Sequence, residues 1–548
     1  MSTTDPQQPA APEGAQAAQD VSPGAAAEGG PSWCDAVVVG GGVAGLVAAH
    51  TLAAEGLAPV VIEASPECGG YLARADVGTA GTPVVVDVGA ESYASRSQVI
   101  ADLVASLGLE AVEPSGLSAW GYVPTGSAGR LALDDSAASS GRRPGRAFPL
   151  PSAGVLGIPG RPWALDTRRA IGVLGALRAS LDRVLPASRV DTSTLASFVR
   201  SRLGARVLER LVTPVAGGVH STDPALLSVD AVAPGLLAAY QRTGSLAAAV
   251  LSLRAQAPAG SAVRGLVGGM NQLVTALETA VEERGQVRRG TGARRLRRVD
   301  GAWEVVLSDG TVLRSDRVVL AVGGHAAVAL LADHVDVRGA APVRGTDIRL
   351  VTLLLRAPGL GAAPRGTGVL VAPGSDVVAK GTTHASAKWP WLRARLDAAL
   401  GTDAHVVRLS YGRGGAAAPA PLAPGTVAAG TVAAGTVAAG TVAAGAGTEA
   451  AAADAAFVEQ AVRDVQALYG VRLGAGDVLS SLVTRWDDAL SPPTPEHRER
   501  TSRLVSDVAA LGGAEGPGLS VTGAWVAGTG LAAVVPHAQA AARSLTHS

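Results

Sequence analysis

Hydrophobic positions near the start of the chain form two short runs separated by a longer apolar stretch. Val37–Val39 is a run of β-branched residues, which is typical of a buried parallel strand. Leu46–Leu52 is apolar and rich in alanine, which predicts a helix that ends near Gly56. Ala58–Ile62 then predicts a second strand. The order strand, helix, strand predicts a βαβ unit of a Rossmann-like sheet.

A glycine-rich turn joins the first strand to the helix, and its spacing fits G-x-G-x-x-G. Gly40 permits the tight turn, Gly42 lets a pyrophosphate approach the backbone, and Gly45 lets the helix and strand pack closely. The free amides at the start of the helix receive phosphates. Glu63 closes the second strand, about 20 residues after the glycines, where a carboxylate accepts hydrogen bonds from ribose hydroxyls. The unit therefore predicts dinucleotide binding.

Further glycines follow at two places. Gly69-Gly70 comes soon after Glu63, and a predicted strand at Val84–Val88 leads into Gly89-Ala90-Glu91-Ser92. An acidic strand end followed by a glycine pair resembles the FAD-binding amine oxidase superfamily, in which a second loop wraps around the flavin pyrophosphate. The resemblance implies a return to the flavin at the C-terminus. There LSVTGAWVAGTGLAAVVPHAQAAARSL predicts a strand, a turn and a helix.

Longer stretches narrow the resemblance to bacterial porphyrinogen oxidases of the protoporphyrinogen/coproporphyrinogen oxidase family. They span most of Val37–Leu545, and are DVGAESYASR, FPLPSAGVLGIPGRP, SFVRSRLGARVLERLVTPVAGGVHSTDPALLS, GLVGGMNQLVTAL, GTGVLVAP, THASAKWPWL, RLSYGR and VTRWDDALSPPTPEH. The chain departs from the family at Glu67-Cys68, because relatives often carry Arg or Lys just before the glycine pair. This departure puts one pyrophosphate contact in doubt.

The resemblance implies FAD as the cofactor and assigns roles to individual residues. The implied FAD-binding residues are Gly40, Gly42, Val43, Ala44, Gly45, Glu63, Ala64, Gly69, Gly70, Gly89, Ala90, Glu91, Ser92, Ala293, the tryptophan of the Arg485-Trp486 pair, Gly528, Gly530 and Leu531. Arg96 and His220 are the implied substrate-binding residues. Lys388 and Trp389 are interpreted as structural. The resemblance implies that flavin N5 carries the chemistry. In agreement with this, no metal constellation and no Ser/His/Asp set is found among the nine histidines.

The implied reaction is oxidation of coproporphyrinogen III to coproporphyrin III in haem biosynthesis. Oxygen accepts six electrons and gives three H₂O₂. Protoporphyrinogen IX is the alternative substrate. A flavin amine oxidase of the same fold is a rival hypothesis, but the aromatic cage that it needs fits poorly with six Tyr and three Phe. A non-catalytic flavin- or porphyrin-binding protein is another. The expected partners are the porphyrinogen and oxygen, with the next haem-pathway enzyme as a further candidate.

The predicted fold class is α/β and α+β: a discontinuous Rossmann-like FAD-binding domain, a mixed-sheet substrate domain and a helical subdomain. The predicted boundaries are 1–34 for a disordered tail, 35–115, 258–335 and 476–546 for the FAD-binding domain, 160–257 for the helical subdomain, and 116–159 and 336–475 for the substrate domain. Four TVAAG copies from Thr426 predict a low-complexity surface loop over 414–448.

Composition limits the remaining function classes. The chain has 548 residues, and its 46 basic residues balance 46 acidic ones, which argues against a general nucleic-acid surface. Two cysteines, Cys34 and Cys68, cannot form a disulfide framework and suit a reducing cytosol. No signal-peptide pattern and no transmembrane segment are predicted. A cytoplasmic location is therefore expected.

Overall fold

The computed structural model describes residues 31–95, 97–125, 144–186, 190–219, 223–256, 262–412, 434–438, 448–487, 489, 495–512 and 517–546. Within these residues the chain forms parallel and antiparallel sheets together with helices. Helices cover one face of the parallel sheet and make up a separate subdomain. The predicted α/β and α+β class is confirmed.

A five-stranded parallel sheet forms the nucleotide-binding part. In spatial order its strands are β13 (Gln286–Arg288), β3 (Pro59–Ile62), β2 (Ala36–Val39), β17 (Arg317–Leu320) and β24 (Gly518–Val521). All neighbouring pairs are parallel. Every residue of β2 and β3 is buried, because both faces of the sheet are covered and the strands are apolar throughout. The predicted βαβ unit is confirmed.

Helices cover one face of this sheet, and a second sheet covers the other. The helices are α1 (Val43–Ala54), α2 (Gln98–Ser106), α10 (Asn271–Glu282) and α17 (Leu531–Arg543). Side chains of all four share one apolar core. The covering sheet contains β1 (Ser32–Trp33), β16 (Val312–Ser315), β15 (Ala302–Leu307) and β14 (Ala293–Val299). Its β15 and β16 form an antiparallel hairpin, and Asp309-Gly310, a dipeptide typical of hairpin turns, lies in the connection.

The substrate part is built on an eight-stranded mixed sheet. In spatial order its strands are β22 (Ala434–Ala438), β23 (Val478–Trp486), β18 (Ile348–Arg356), β21 (Ala404–Tyr411), β20 (Gly381–His384), β19 (Gly368–Val371), β8 (Trp120–Pro124) and β9 (Gly145–Pro149). Helix α14 (Thr448–Tyr469) packs on one face, where Phe457, Val465 and Leu468 join the core of the sheet.

Two sequence predictions need correction in this sheet. The assignment of 476–546 to the nucleotide-binding domain is wrong for Val478–Trp486, because this strand pairs along its length with β18. The loop predicted over 414–448 is wrong for Ala434–Ala438, which pair in parallel with β23 at the sheet edge. An edge strand needs only one partner, and the Thr and Val of each repeat suit an extended backbone.

The helical subdomain lies within the predicted range 160–257. Its helices are α3 (Leu165–Ser180), α4 (Leu195–Leu203), α5 (Ala205–Val207), α6 (Thr213–Val219), α7 (Val229–Val232), α8 (Leu236–Thr243) and α9 (Leu246–Gln256). They share a core with Val123, Phe148 and Ala372 of the substrate part. The N-terminus of α4 is capped by Thr194, whose side chain accepts a hydrogen bond from the Ser197 amide.

The remaining described elements are short or peripheral. They are the strands β4 (Arg74–Asp76), β5 (Val85–Asp87), β6 (Tyr93–Ala94), β7 (Ala111–Val112), β10 (Gly154–Val155), β11 (Ile158–Pro159) and β12 (Val263–Leu266), and the helices α11 (Gly324–Leu331), α12 (Ala385–Lys388), α13 (Pro390–Leu400), α15 (Pro495–Ala510) and α16 (Ala524–Ala527). Residues 1–30 of the tail predicted over 1–34 lie outside the described residues. Within the rest of that range, Ser32–Trp33 form an edge strand that pairs with β16.

Candidate functional site

The carboxyl ends of the parallel strands meet at one edge of the sheet. The Gly40 amide, after β2, donates to the Ile62 carbonyl at 2.8 Å. After β17, the Ala321 amide donates to Val39 at 2.7 Å, and the Thr522 amide after β24 donates to Leu320 at 2.9 Å. In open parallel sheets this edge is where ligands bind. The structure therefore gathers the predicted glycine turn and the C-terminal turn on one side of the sheet.

The glycines of the first turn differ in what surrounds them. Gly40 has φ +108°, and a Cβ there would lie 2.7 Å from the Ala321 carbonyl oxygen. A Cβ on Gly45 would lie 1.8 Å from the carbonyl oxygen of Gly40. A Cβ on Gly42 would meet no atom within 4 Å. Gly40 and Gly45 are thus required by packing, whereas Gly42 faces open space at the N-terminus of α1, where a phosphate fits.

Glu63 is fixed at the end of β3. One carboxylate oxygen accepts the Gly41 amide at 2.7 Å, and the other accepts the Ser65 amide at 2.8 Å. The side chain is half-buried beside the glycine turn. This is the position that ribose recognition requires of an acidic residue in a βαβ unit. Ala64 follows it and lies next to Gly292, the neighbour of Ala293 at the start of β14.

The glycine pair Gly69-Gly70 rests on the first turn. The Gly69 amide donates to the Gly41 carbonyl at 2.9 Å, and a Cβ on Gly70 would lie 3.5 Å from the Gly42 Cα. A Cβ on Gly41 would be 2.6 Å from the Cys68 sulfur. Burial, followed by the neighbouring Glu278, raises the pKa of the Cys68 thiol. Cys68 is therefore a packing residue held in its protonated form.

Glu67, at the departure from the family pattern, is exposed and lies 3.7 Å from Arg74. A cavity of about 200 Å³ lies under this part of the loop. Arg289 also lines the cavity, but Glu278 holds its guanidinium at 2.8 Å. The cation that relatives often carry before the glycine pair thus has no direct replacement at position 67.

The second loop is attached to the glycine pair through Tyr71. The Ala90 amide donates to the Tyr71 carbonyl at 2.8 Å, and a Cβ on Gly89 would lie 2.0 Å from the same oxygen. The Tyr71 and Trp486 rings pack with centroids 5.1 Å apart, and the Trp486 indole donates to the Val88 carbonyl at 3.1 Å. Trp486 therefore supports the predicted flavin loop from the eight-stranded sheet.

Two cations hold the end of this loop through Glu91. Lys388 lies 2.5 Å and Arg408 3.0 Å from the Glu91 carboxylate, and all three side chains are largely buried. Arg408 also donates to the carbonyls of Asp87 at 3.1 Å and Gly89 at 2.9 Å. Burial acts to raise the pKa of Glu91, but Lys388 and then Arg408 overcome it and lower the pKa to about 2. Glu91 is therefore ionised at neutral pH.

Asp87 begins the loop and ties it to α10. Its carboxylate accepts the Met270 amide at 2.8 Å, the Asn271 amide at 3.1 Å and the Asn271 side chain at 3.0 Å. Sequence reasoning did not identify Asp87, Asn271 or Arg408. The prediction that Lys388 is structural agrees with its ion pair. The available sequence signal for Lys388 was the rarity of lysine, because Lys380 and Lys388 are the only lysines in the chain.

The C-terminal turn places a second helix N-terminus at the site edge. Gly528 has φ +97° and Gly530 has φ +95°, and a Cβ on Gly530 would meet no atom within 4 Å. Gly530 precedes α17, which packs on α1. Leu531 is partly buried against the shared core. Ser92, which follows Glu91 in the second loop, is half-buried. Arg96 and His220, the predicted substrate-binding residues, lie outside the described residues.

A buried histidine pair lies in the eight-stranded sheet. The rings of His384 and His405 approach to 3.1 Å between Nε2 and Nδ1, and Arg393 lies 3.3 Å from the same Nδ1. Burial, followed by the neighbouring positive groups, lowers the pKa of both histidines well below the usual value. Both rings are therefore neutral at pH 7. No group of three metal-ligating side chains occurs among the described residues.

In the described part of the chain, no helix is both long enough and apolar enough to cross a lipid bilayer.

Comparison with known proteins agrees with this geometry. A family model described as flavin containing amine oxidoreductase matches residues 43–346. The coproporphyrinogen III oxidase of Mycobacterium leprae (strain TN) is 27% identical over 518 residues, covering 94% of this chain and 98% of that protein. The coproporphyrinogen III oxidase of Bacillus subtilis (strain 168) is 25% identical over 367 residues, covering 65% of this chain and 73% of that protein.

Solved structures show the same fold. A protein from Exiguobacterium sp. 255-15, provisionally named as a protoporphyrinogen oxidase, superposes with a TM-score of 0.70 at 22% identity, over 94% of this chain and 99% of that one. Putrescine oxidase bound to putrescine superposes with a TM-score of 0.56 at 15% identity, over 95% of this chain and 100% of that one.

Proposed function

The chain belongs to the flavin containing amine oxidoreductase family and uses FAD as its cofactor, and we propose that it oxidises coproporphyrinogen III to coproporphyrin III with oxygen as the acceptor. The observation that carries this proposal is the similarity to the Mycobacterium leprae coproporphyrinogen III oxidase, which extends over nearly the whole of both chains. A match of that extent includes the substrate part as well as the nucleotide-binding part.

The residues of the first turn would hold the FAD pyrophosphate. The N-terminal amides of α1 face open space at Gly42, where no side chain competes with a phosphate. Glu63 would accept hydrogen bonds from the ribose hydroxyls, since its carboxylate is already fixed between two backbone amides. The second loop, held by Arg408 and Lys388, would shape the site beyond the pyrophosphate.

The reaction balances in three rounds. In each round the substrate loses a hydride from a methylene bridge and a proton from a pyrrole nitrogen. Tautomerisation moves one hydrogen from the fourth bridge to a nitrogen, so three rounds remove six electrons and convert all four bridges. When bound, FAD would supply the hydride acceptor, and its reoxidation by oxygen would give one H₂O₂ per round. The chain's own task is to position the macrocycle and bind its carboxylates, and we propose Arg96 and His220 for these contacts.

Protoporphyrinogen IX is the second candidate substrate. The chain is 31% identical to the chloroplastic protoporphyrinogen oxidase of Oryza sativa subsp. japonica, but only over 208 residues, or 38% of this chain. Coproporphyrinogen III carries four propionates against two, and therefore offers more groups for charge-assisted hydrogen bonds with arginine. This difference favours coproporphyrinogen as the substrate.

A fluorescence assay with both porphyrinogens, without detergent, tests the substrate assignment. We expect a higher kcat/KM for coproporphyrinogen III, with oxygen consumed and H₂O₂ formed in equal amounts. A preference for protoporphyrinogen IX would overturn the substrate assignment. Flavin bleaching by a polyamine instead of a porphyrinogen would overturn the proposed reaction. Arg96→Ala should raise KM more than it lowers kcat, with Arg338→Ala, an exposed arginine paired with Asp336, as the control.

We also propose a cytoplasmic location, with oxygen and the next haem-pathway enzyme as partners. Both cysteines are free thiols, and Cys68 is buried, which suits a reducing compartment. Fractionation followed by immunodetection would check this. Recovery of the protein outside the cytoplasmic compartment would contradict it.

A further inference from the structure

A cavity of about 480 Å³ lies at the end of the eight-stranded sheet that is remote from the flavin loops. One wall is the turn that follows β18, at residues 356–364, and the other is the end of α14 with its connection to β23, at residues 469–477. At the opposite end of β18, Ile348 pairs with Trp486, which supports the second flavin loop. The two ends of this nine-residue strand are roughly 27 Å apart, from the usual rise of a strand. The cavity is therefore separate from the candidate FAD site.

Short contacts fix both walls of this cavity. The Ala357 amide donates to the Asp403 carbonyl at 2.8 Å, and Pro358 restricts the next backbone position. A Cβ on Gly359 would lie 3.1 Å from a methyl carbon of Val471, so the two walls meet closely at this point. Because the walls are anchored, the cavity is formed before a ligand binds, which lowers the entropy cost of binding.

Two arginines line the cavity, one from each wall. Arg356 ends β18 and Arg472 lies in the connection to β23, and both side chains are exposed. Within the described part of the chain, neither guanidinium has an ion pair or a side-chain hydrogen bond. Asp477 also lines the cavity, but its carboxylate accepts the Gly474 amide at 2.7 Å and is not paired with either arginine. The cavity therefore has a net positive charge and two unused guanidinium groups.

Other arginines of the same sheet are engaged by the protein itself. Arg349, near the opposite end of β18, pairs with Asp487 at 2.7 Å. Arg365, just beyond the first wall, donates to the Leu468 carbonyl at 2.9 Å and lies over the Trp120 ring, 4.9 Å from its centroid. This contrast indicates that the two arginines of the cavity are available to a partner outside the chain.

We propose that this cavity binds a small organic molecule that carries two anionic groups, carboxylates or phosphates, on an apolar body. Guanidinium groups from facing walls bind anionic oxygens through paired hydrogen bonds. Pro358, Val471 and Tyr469 supply apolar surface for the body, and the hydroxyl of Tyr469 is already engaged by Thr382 at 3.3 Å. The volume falls within the range of small-molecule sites. Asp477 would repel a third anionic group, so two is the number that the charges favour. The site lies beyond the proposed reaction and does not depend on it.

Calorimetric titration of the full-length protein saturated with FAD tests this proposal. Saturation fills the anion site at the first glycine turn, so that site cannot take the probes. The probes are isophthalate, which carries two carboxylates, and carboxyphenyl phosphate, which carries one carboxylate and one phosphate. We expect saturable binding of at least one of them, about tenfold or more weaker binding of benzoate, which lacks one charged group, and no binding of neutral isophthalamide. The tighter of the two probes shows whether carboxylate or phosphate is preferred.

Substitutions of the two cavity arginines locate the bound probe. Arg356→Gln and Arg472→Gln should each weaken binding by about tenfold or more, because each removes a charge-assisted contact. Neither should lower the melting temperature, since neither side chain has a partner within the described residues. Arg395→Gln is the matched control, because Arg395 is an exposed arginine on α13 of the same sheet part and does not line the cavity. Its affinity for the probes should equal wild type.

Four results would overturn the proposal. They are no saturable binding of either probe, equal binding of isophthalamide, an equal loss of affinity in Arg395→Gln, and a loss in Arg96→Ala without a loss in Arg356→Gln. The last result would place the probe in the proposed substrate site. The porphyrinogen assay is read separately, so a wrong substrate assignment would leave the titration unchanged.

Discussion

The two loops that form the candidate FAD site are built in different ways. The first, Gly40–Gly45 with Glu63, is held mainly by segments close in sequence, through the Gly40 amide on the Ile62 carbonyl and the Gly41 amide on the Glu63 carboxylate. The second, from Asp87 to Glu91, is held by side chains that arrive from far along the chain, including Arg408 and Trp486. A turn held by glycine packing is rigid by itself. A loop held by an ion pair depends on the correct assembly of another sheet.

This difference matters for the proposed reaction. The first loop would bind the part of FAD that is common to many dinucleotide enzymes. The second loop connects the cofactor site to the eight-stranded sheet, where substrate selectivity is expected. Arg408, in the eight-stranded sheet, connects that sheet to the second loop, because it donates to a loop carbonyl and pairs with Glu91. We therefore expect FAD binding to depend on the order of the substrate sheet.

The largest effect is expected at the first loop. Gly45→Ala would place a Cβ 1.8 Å from the Gly40 carbonyl oxygen, and we expect a loss of about 3 kcal/mol or more in the free energy of unfolding. Gly42→Ala is the matched control, since its φ of −69° suits alanine and its Cβ would meet open space. Gly42→Ala should melt like wild type as apoprotein but retain less FAD. Thermal melting and FAD content measure both, and equal melting of the two variants would contradict the distinction.

The second loop should respond to loss of its cation. Arg408→Met leaves the buried Glu91 with Lys388 alone and removes the hydrogen bonds to two loop carbonyls, so we expect destabilisation by about 2–3 kcal/mol. Arg408→Lys should recover part of it, because the charge returns without the planar fork. The melting-temperature rise on adding FAD should shrink in Arg408→Met. An unchanged rise would mean that the two parts are not coupled.

A smaller effect is expected at Glu63, chiefly on FAD affinity. Glu63→Gln keeps the shape but removes a charged acceptor, worth about 1.5 kcal/mol for one hydrogen bond, or roughly tenfold in the FAD dissociation constant. The apoprotein should lose about 1 kcal/mol of stability, because the Gln amide nitrogen replaces one of two oxygens that accept backbone amides. FAD titration by flavin fluorescence gives the affinity. Unchanged affinity would remove Glu63 from the site.

Acid should weaken the substrate sheet. The folded pKa values of His384 and His405 lie below the unfolded value of 6.5, so the unfolded chain binds more protons as the pH falls. Stability should be insensitive to this pair above pH 6.5 and fall below it by about 1.4 kcal/mol per pH unit for each histidine that protonates on unfolding. Denaturant melts from pH 7.5 to 5 test this. His50 and His537 shift in the same direction, so His384→Gln, which should reduce the slope, isolates the pair.

The repeat should respond least. Ala434–Ala438 lies within the TVAAG copies, so after deletion of one copy the next identical copy can take its place beside β23. The remaining change in loop length costs about 0.6 kcal/mol or less. Melting temperature and activity should therefore stay near wild type. Substitution of five residues outside the strand is the control. A large loss of melting temperature or activity after deletion of one copy, but not in this control, would show that another copy cannot replace the deleted one.

The sequence by itself determined the first loop and its surroundings. Val37–Val39, the glycine spacing and Glu63 sit within 30 residues, so local geometry alone predicts the strand, the turn and the acidic strand end. The mixed fold class and the family resemblance followed from patterns of this kind. The hairpin at Asp309-Gly310 was equally readable, because turn residues fix it locally.

Only the tertiary structure decided the partners of the second loop. Glu91 and Lys388 are 297 residues apart, and the pattern of residues along the chain does not indicate that they pair. The same holds for Val478–Trp486, whose place in the eight-stranded sheet depends on long-range pairing with β18 and was assigned to the wrong domain from sequence. The exposure of apolar side chains such as Leu174 and Leu177 on α3 is also decided by the tertiary structure, because a helix shows which side is buried only after its neighbours are in place.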